Sequence, residues 1–216
     1  MRALACLVVF AGCARTPAPK SPSDAVKADI LRAEDAEKAR RHDEARRFYE
    51  KAVAEATDPA SQHIAHREFG ETLATWGEIE EADHHLEASI RADGSDPIAW
   101  QMFGIVRHKR GDINNAIIAL QRSKELAPTA WIPRRDLAVV YWKQGHRDLA
   151  LAEYKAMLEL DLPPRLREKV EWAIGVLSKP PPFHVPAKPG SEAPDAVVPI
   201  EPAQPAPQPP ADPPAS

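Results

Sequence analysis

Cysteine is nearly absent from this chain of 216 residues and occurs only at Cys6 and Cys13, close to the N-terminus. The rest of the sequence therefore cannot form a disulfide, a thiolate metal site or a cysteine nucleophile. Long apolar runs are missing too, and none approaches the roughly 20 residues that a transmembrane helix requires. Glycine is scarce, with 9 residues, whereas alanine, glutamate, arginine and leucine are frequent, so the composition favours a helical body.

A concentrated positive charge is also lacking. The formal net charge is −4, and no cluster of lysine and arginine stands out in the body of the chain. Proteins that bind nucleic acid need such clusters to neutralise phosphates. We therefore expect no nucleic-acid partner.

Sequence signatures of catalysis are missing as well. The chain has no Walker loop for phosphate, no Gly-x-Ser-x-Gly nucleophile elbow and no His-Glu-x-x-His zinc motif. His63 and His66, and the adjacent His84 and His85, could suggest a metal site, but histidines at these spacings on a polar helix face are usually solvated. We therefore expect no enzymatic activity, no metal and no cofactor.

Proline divides the chain, because 14 of its 23 prolines lie between Pro180 and Pro214. Apolar residues are too sparse over 179–216 to form a core, so we predict a disordered, Pro-rich tail there, biased to polyproline II. We expect this tail to act as a spacer; the alternative is that the prolines at 202–205 or 207–210 dock on a groove that binds polyproline II. A folded domain is left over about 24–178.

The N-terminus starts with Arg2 and a short apolar run, which leads to Phe-Ala-Gly-Cys at 10–13. The run falls within the roughly 7–15 residues of a signal-peptide core and is too short to span a bilayer. Positions 10–13 resemble the lipobox of bacterial lipoproteins, in which small residues precede a cysteine that takes a diacylglyceryl group. The resemblance implies a signal peptide at 1–12, a lipid on Cys13 and a tether over 13–23.

Ala14 follows the lipobox, in place of the aspartate that retains some lipoproteins at the inner membrane. The resemblance therefore implies a place in the bacterial cell envelope, anchored by lipid in the outer membrane and facing the periplasm. Several acyl chains on one cysteine give a stable anchor, since each buried methylene contributes about 0.8 kcal/mol. The alternatives are an ordinary signal peptide and a cytosolic N-terminus in which Cys13 is accidental.

One pattern recurs along the middle of the chain. A spacing of 34 residues separates Gly77, Gly111 and Gly145, and likewise Ala82, Ala116 and Ala150. Similarity at a fixed period indicates a repeat array. Aligned on the glycines, the units cover 63–96, 97–130 and 131–164, and a more diverged first unit fits 26–59. In that first unit Arg40 stands where the others have the turn glycine.

The units resemble the tetratricopeptide repeat, in which a large residue, Leu-Gly and Tyr are followed by Ala, an aromatic residue and Pro. The unit at 97–130 meets this pattern with Trp100, Phe103, Gly104, Ala116, Leu120 and Pro128. The resemblance implies an all-α fold, a right-handed solenoid of about four helix-turn-helix repeats. The helical pattern at 165–178 is similar to the polar helix that caps such solenoids; the alternative is a truncated fifth repeat.

Two features of these units have simple physical reasons. Gly104 is predicted to meet Ala116 where two paired helices cross, since only small side chains allow such close approach. Asp58 and Asp96 each precede a proline, and this pair of residues is typical of a helix start, with the acid as cap and the proline at the first helical position.

In tetratricopeptide proteins the first helix of each unit lines a concave groove, and the resemblance carries this role to the matching positions. The predicted groove residues are Glu34, Arg67, Glu71, Gln101, Ile105, His108, Arg135, Val139 and Trp142. Trp142 is the predicted anchor for a partner, because Tyr141 beside it already fills a core position; the alternative is that Trp142 packs against the capping helix. Family members that grip C-terminal carboxylates use spaced lysine and asparagine, and the asparagine is absent here.

Together the two resemblances imply a lipid-anchored periplasmic scaffold or adaptor that binds a protein or peptide partner, in envelope assembly, pilus biogenesis or secretion. An amphipathic helix or an extended peptide would suit such a groove. One alternative is a self-assembling structural component of the envelope. The other is an enzyme or small-ligand binder, which would need polar groups that converge in a pocket.

Overall fold

The computed structural model describes residues 22–179; the predicted signal peptide, Cys13, nearly all of the predicted tether and the predicted tail from 180 onward lie outside the described residues. Within 22–179 there is no strand, so the all-α prediction is confirmed. The helices of this part are α1 (Pro22–Lys38), α2 (His42–Glu55), α3 (Pro59–Trp76), α4 (Ile79–Ala92), α5 (Pro97–Lys109), α6 (Ile113–Leu126), α7 (Trp131–Lys143), α8 (Arg147–Leu158) and α9 (Pro164–Ser178). None of these helices is both long and apolar enough to cross a membrane.

The helices group into two compact units that divide after Asp136, within α7. In the first unit α1 packs against α2, α3 against α4, and α5 against α6. Neighbouring pairs meet through α2 with α3 and through α4 with α5, and in the second unit α8 packs against α9. The order of helices, each pair joined by a short turn, is the helix-turn-helix arrangement that the repeat predicts.

The turns within the helix pairs use the left-handed region of the backbone. Gly77, Gly111 and Gly145 have φ values of 89°, 84° and 85°, which glycine adopts without steric cost. Arg40 takes the same region with φ of 59°, although it carries a side chain. The first pair therefore keeps the form of turn that the glycines give elsewhere.

Aspartate and proline start two of the helices, as predicted. The Asp58 carboxylate accepts a hydrogen bond from the Ser61 backbone N–H (3.0 Å), and the Asp58 N–H donates to the Ser61 hydroxyl (3.3 Å), which makes a capping box. Asp96 accepts from the Ile98 N–H at 2.8 Å. Because the capping box fixes the start of α3 at Pro59, this helix begins four residues before the 34-residue unit that was aligned at 63.

Glycine allows the close crossing of paired helices. A Cβ atom placed on Gly104 would lie 2.7 Å from Leu120 Cγ and 3.1 Å from the Ala116 carbonyl oxygen. A Cβ atom on Gly70 would lie 2.8 Å from Leu86 Cγ. Neither position has room for a side chain, so the predicted meeting of Gly104 with Ala116 is confirmed.

The core of the first unit is centred on stacked aromatic rings and a small polar network. The rings of Tyr49 and Phe69 lie nearly parallel, with centroids 5.3 Å apart. Thr72 Oγ1 donates to the Tyr49 hydroxyl oxygen (3.1 Å), and that hydroxyl donates to Glu37 Oε2 at 3.2 Å. Burial raises the pKa of Tyr49, so the phenol stays protonated and remains a hydrogen-bond donor.

Successive helix pairs of the first unit are linked by side-chain contacts at one sequence separation. Each of the following hydrogen bonds joins residues 35 apart: Thr72 Oγ1 to Glu37 Oε2 (3.3 Å), Arg46 Nη1 to Glu81 Oε1 (3.0 Å), Lys109 Nζ to the Ala74 carbonyl (3.2 Å) and Gln101 Nε2 to Asp136 Oδ2 (2.8 Å). We call these contacts the 35-residue ladder. Each contact joins a helix of one pair to the corresponding helix of the next pair, for example α1 to α3 or α3 to α5.

In the second unit two arginines join α8 to α9. Arg147 Nη2 donates to the carbonyls of Val176, Leu177 and Lys179 at 3.2, 2.9 and 2.7 Å, and so binds the C-terminal end of α9. Arg167 donates to the Leu158 carbonyl at the end of α8 (3.3 Å). Each helix end leaves carbonyls without an intrahelical partner, and these guanidinium groups supply the missing donors.

Candidate partner-binding surface

The predicted groove residues share one property: all are partly exposed, neither buried in the core nor fully open to solvent. In the first unit they lie on α1 (Glu34), α3 (Arg67, Glu71), α5 (Gln101, Ile105, His108) and the start of α7 (Arg135). Val139 and Trp142, also on α7, belong to the second unit. Partial exposure suits a side chain that supports the fold on one side and meets a partner on the other, and the groove assignment stays a prediction.

Arg67 is held in place by two carboxylates. Its Nε lies 3.3 Å from Asp96 Oδ2 and its Nη2 donates to Glu68 Oε1 at 2.5 Å. Asp96 also caps α5 and lies 3.2 Å from His63 Nε2. Asp96, which caps the first helix of one repeat, thus also positions Arg67 of the preceding repeat.

Arg135 is fixed in a similar way but is more open to solvent. Its Nε donates to Asp136 Oδ1 at 2.8 Å, and its guanidinium lies 5.4 Å from the centre of the Trp131 ring. The other carboxylate oxygen of Asp136 accepts from Gln101, which joins two of the predicted groove residues through a third side chain. The Arg135 side chain is 41% exposed, so it combines a fixed orientation with access from outside.

Acidic groups crowd around Arg67. Burial raises the pKa of the Glu68 carboxyl above its usual range, against the opposing charge of Arg67. The nearby carboxylates of Glu34, Glu71 and Asp96 act in the same direction as burial, since neighbouring negative charges disfavour ionisation. This part of the surface is therefore of mixed charge, with more carboxylates than arginines.

Four residues that position the two arginines were not predicted: Glu68, Asp96, Trp131 and Asp136. A signal for two of them was present, because Arg67-Glu68 and Arg135-Asp136 are 68 residues apart, twice the repeat period. Asp96 was recognised only as a helix cap. Its contact with Arg67 depends on the packing of α3 against the start of α5, which the sequence pattern does not show.

The structure brings Ser89, His63 and Asp96 into a line that resembles a catalytic triad. Ser89 Oγ lies 2.9 Å from His63 Nδ1, and His63 Nε2 lies 3.2 Å from Asp96 Oδ2. Ser89 is completely buried, however, and its hydroxyl donates to the His63 carbonyl at 3.0 Å. A substrate has no access to this hydroxyl, so the three residues tie α3 to α4 and α5.

The described residues show no metal-binding cluster, and the cleft that they form lies away from the predicted surface. Over residues 22–179 no group of three or more His, Cys, Asp or Glu side chains is placed to hold a metal ion. An open cleft of about 500 Å³ lies in the first unit and is lined by His42, Asp43, Arg46, Thr75, Trp76 and Glu78. None of the predicted groove residues lines it.

No family model matches the chain. Over 62 residues the chain is 40% identical to the PEX5-related protein of Homo sapiens, a stretch that covers 29% of this chain and 10% of that protein. The chain thus matches about a tenth of the length of this relative.

Solved structures similar to the chain include MamA and YrrB. The MamA structure has a TM-score of 0.62 and 19% identity, over 71% of this chain and 81% of MamA. YrrB, described as a TPR protein with an unusual peptide-binding site, has a TM-score of 0.57 and 22% identity, over 74% of this chain and 83% of YrrB. At these identities the likeness establishes the fold, and the tetratricopeptide fold predicted from the 34-residue repeat is confirmed.

Proposed function

We propose that this chain, whose body has the tetratricopeptide-repeat fold, is a scaffold that binds a segment of another protein along the first helices of its repeats. The observation that carries the proposal is a pair of arginines at partly exposed positions. Arg67 is fixed by the carboxylates of Glu68 and Asp96, and Arg135 is fixed by Asp136 and the Trp131 ring. Fixed arginines are favourable contacts for a partner, because little side-chain entropy is lost when they bind. The peptide-binding site of YrrB, a protein of the same fold, supports the assignment.

Arginine substitutions on this surface are expected to weaken capture of the partner. Arginine and tryptophan dominate binding energy at protein interfaces, and one central contact is worth about 1–2 kcal/mol or more, which is roughly tenfold in affinity. The variants Arg67→Ala, Arg135→Ala and Trp142→Ala are each used as bait in pulldowns from detergent-solubilised membranes. Bound proteins are quantified by mass spectrometry against the wild type.

The matched control is Arg122→Ala. Arg122 lies on α6, a second helix of a pair, and forms an exposed ion pair with Glu125 at 3.1 Å. A partner that is retained by this control and lost by the Arg67, Arg135 or Trp142 variants identifies the proposed surface. A partner retained by all four variants would show that the protein binds elsewhere.

We further propose that a lipid on Cys13 anchors this scaffold in the outer membrane, facing the periplasm, where it takes part in envelope assembly, pilus biogenesis or secretion. The support is the likeness of residues 10–13 to a lipobox. An anchor at the N-terminus would hold the repeat body near the membrane through the proline-containing segment before α1.

Substitution of Cys13 by serine is expected to release the protein from membranes, because serine cannot take the thioether-linked diacylglyceryl group. The measurement is fractionation of cells after growth with a labelled fatty acid. The wild type should carry label and sediment with membranes, and the Cys13→Ser variant should do neither. Cys6→Ser is the control and should behave as the wild type; a wild-type protein without label would refute the anchor.

A further inference from the structure

Two histidines from different helices share one hydrogen bond in the first unit. His66 Nδ1 on α3 lies 2.9 Å from His85 Nδ1 on α4, and the ring centroids are 5.0 Å apart. A hydrogen bond between two ring nitrogens needs one nitrogen to donate and the other to be without a proton. Protonation of both rings at Nδ1 would therefore replace the bond with a contact between two donors and two positive charges.

The surroundings of this histidine pair disfavour added positive charge. Arg46 from α2, and Arg91 and His84 from α4, are the cationic groups that act on the two rings. The nearest carboxylate, Glu81, lies 4.0 Å from His85 Nε2 and also binds Arg46. The Phe69 ring lies 4.6 Å from the His85 ring and keeps water from that side.

Both histidines titrate below the ordinary histidine range. Burial lowers the pKa of His85 to about 4, and the charges of His66, His84 and Arg46 act in the same direction. Burial also lowers the pKa of His66, with contributions from His84 and Arg91. In the unfolded chain both histidines titrate near 6.5, so the unfolded chain takes up protons first as the pH falls. The stability they contribute is complete above about pH 6.5 and is lost progressively toward pH 4.

We propose that the His66–His85 contact makes the α3–α4 helix pair an acid-sensitive joint, which is closed at neutral pH and loosens as the two imidazoles take up protons. The joint lies within the repeat whose first helix carries Arg67 and Glu71. Loosening of α3 against α4 would therefore also disturb the surface proposed for partner binding, which links binding to the acidity of the surroundings. The acid response itself does not depend on the identity, or the existence, of a partner.

Other groups with shifted pKa values respond differently to acid. Hydrogen bonds lower the pKa values of Asp58, Asp93 and Asp112, so the stability that these groups contribute is lost only in strong acid, below about pH 4. Burial raises the pKa of Glu68, so this carboxyl has the opposite sign and favours the folded state as the pH falls. A fall in stability between pH 7.5 and 5 that is present in the wild type and largely absent when both His66 and His85 are replaced therefore isolates this pair.

The test compares the wild type with the double variant His66→Asn/His85→Asn. An asparagine amide places donor and acceptor near the histidine Nδ1 position, so the side chains can still pair but cannot titrate. Melting temperatures are measured by circular dichroism from pH 7.5 to 5. Between pH 7.5 and 5 the melting temperature of the wild type should fall by about 3–6 °C. That of the double variant should fall by less than half as much, and that of the exposed control His42→Asn should fall as much as that of the wild type. Equal losses in the wild type and the double variant would overturn the proposal.

An NMR titration of the wild-type imidazoles gives an independent readout and decides the matter if the double variant does not fold. His85 should titrate at about pH 4 and His66 below its ordinary value. Amides of α3 and α4 should lose protection from hydrogen exchange at pH 5 before those of α5 and α6. Titration of both rings at pH 6.5 or above would refute the joint. Loss of the joint would leave the groove proposal standing, because the arginine substitutions test that surface at neutral pH.

Discussion

Replacement of Ala116 by aspartate should destabilise the first unit by about 4–5 kcal/mol, the largest effect expected of any single substitution described here. Ala116 has no exposed surface. Its carbonyl oxygen lies where α6 crosses α5 at Gly104, and a Cβ atom added to Gly104 would lie 3.1 Å or less from its nearest neighbours. A carboxylate at this position would separate α5 from α6 or remain buried without a partner. Both outcomes lower the free energy of unfolding.

The measurement is urea unfolding followed by circular dichroism, with Asn114→Asp as the matched control. Asn114 lies two residues away in the first turn of α6 and is exposed. A negative charge there is favourable to the helix dipole, so the control should stay within about 0.5 kcal/mol of the wild type. A free energy of unfolding of the Ala116→Asp variant close to that of the control would show that α5 and α6 do not cross as described.

Removal of the Asp83 carboxylate should cost about 2–4 kcal/mol, because it leaves two arginines without their shared partner. Asp83 lies on α4 and is buried. Its Oδ1 lies 2.6 Å from Arg107 Nε, and its Oδ2 binds Arg110. Both arginines lie at the C-terminal end of α5, in the next repeat. Arg107 also lies 4.5 Å from the centre of the Phe103 ring. With Asp83 gone, Arg107 would keep only Asp112 among the described residues as an acidic partner, at 3.1 Å, in a place that is only 19% exposed.

The Asp83→Ala variant is compared with Glu125→Ala, which removes one partner of an exposed ion pair on α6 and should change stability by less than about 1 kcal/mol. A double-mutant cycle with Arg107→Met then measures the coupling directly. We expect a coupling free energy above about 1 kcal/mol. Equal effects of Asp83→Ala and Glu125→Ala would mean that the buried pair contributes no more than a surface pair.

The helix pairs and their turns could be predicted because each depends on local chemistry that recurs in the sequence. The 34-residue spacing of Gly77, Gly111 and Gly145 marked the left-handed turns, and Asp58 with Pro59 marked a helix start. Arg40 was less predictable, since arginine disfavours the left-handed region. The turn at Arg40 is imposed by the packing of α1 against α2 and of both against α3, which outweighs the local preference.

Contacts between polar side chains of different helices were not predictable from the pattern, unlike the crossing of Gly104 with Ala116. His66 and His85 are separated by 19 residues, and Asp83 and Arg107 by 24, and neither separation is a multiple of the period. Such pairs form because side chains on facing helices reach a common point, which depends on the crossing of the helices and on the rotamers. For the candidate surface the repeat register gave the positions of Arg67 and Arg135, and the acids beside them recur at twice the period, but the contact of Asp96 with Arg67 emerged only from the packing.

The 35-residue ladder has a consequence for folding of the protein. Each of its hydrogen bonds, such as Gln101 to Asp136 or Arg46 to Glu81, joins residues that are only 35 positions apart in the sequence. None of these four contacts needs a distant part of the sequence. Chains dominated by such short-range contacts fold fast. In the envelope location proposed above, the chain would cross the membrane with its N-terminus first, so that each helix pair could close on its predecessor as it emerges, before the C-terminal part has arrived. Assembly in this order shortens the time for which each apolar face is uncovered.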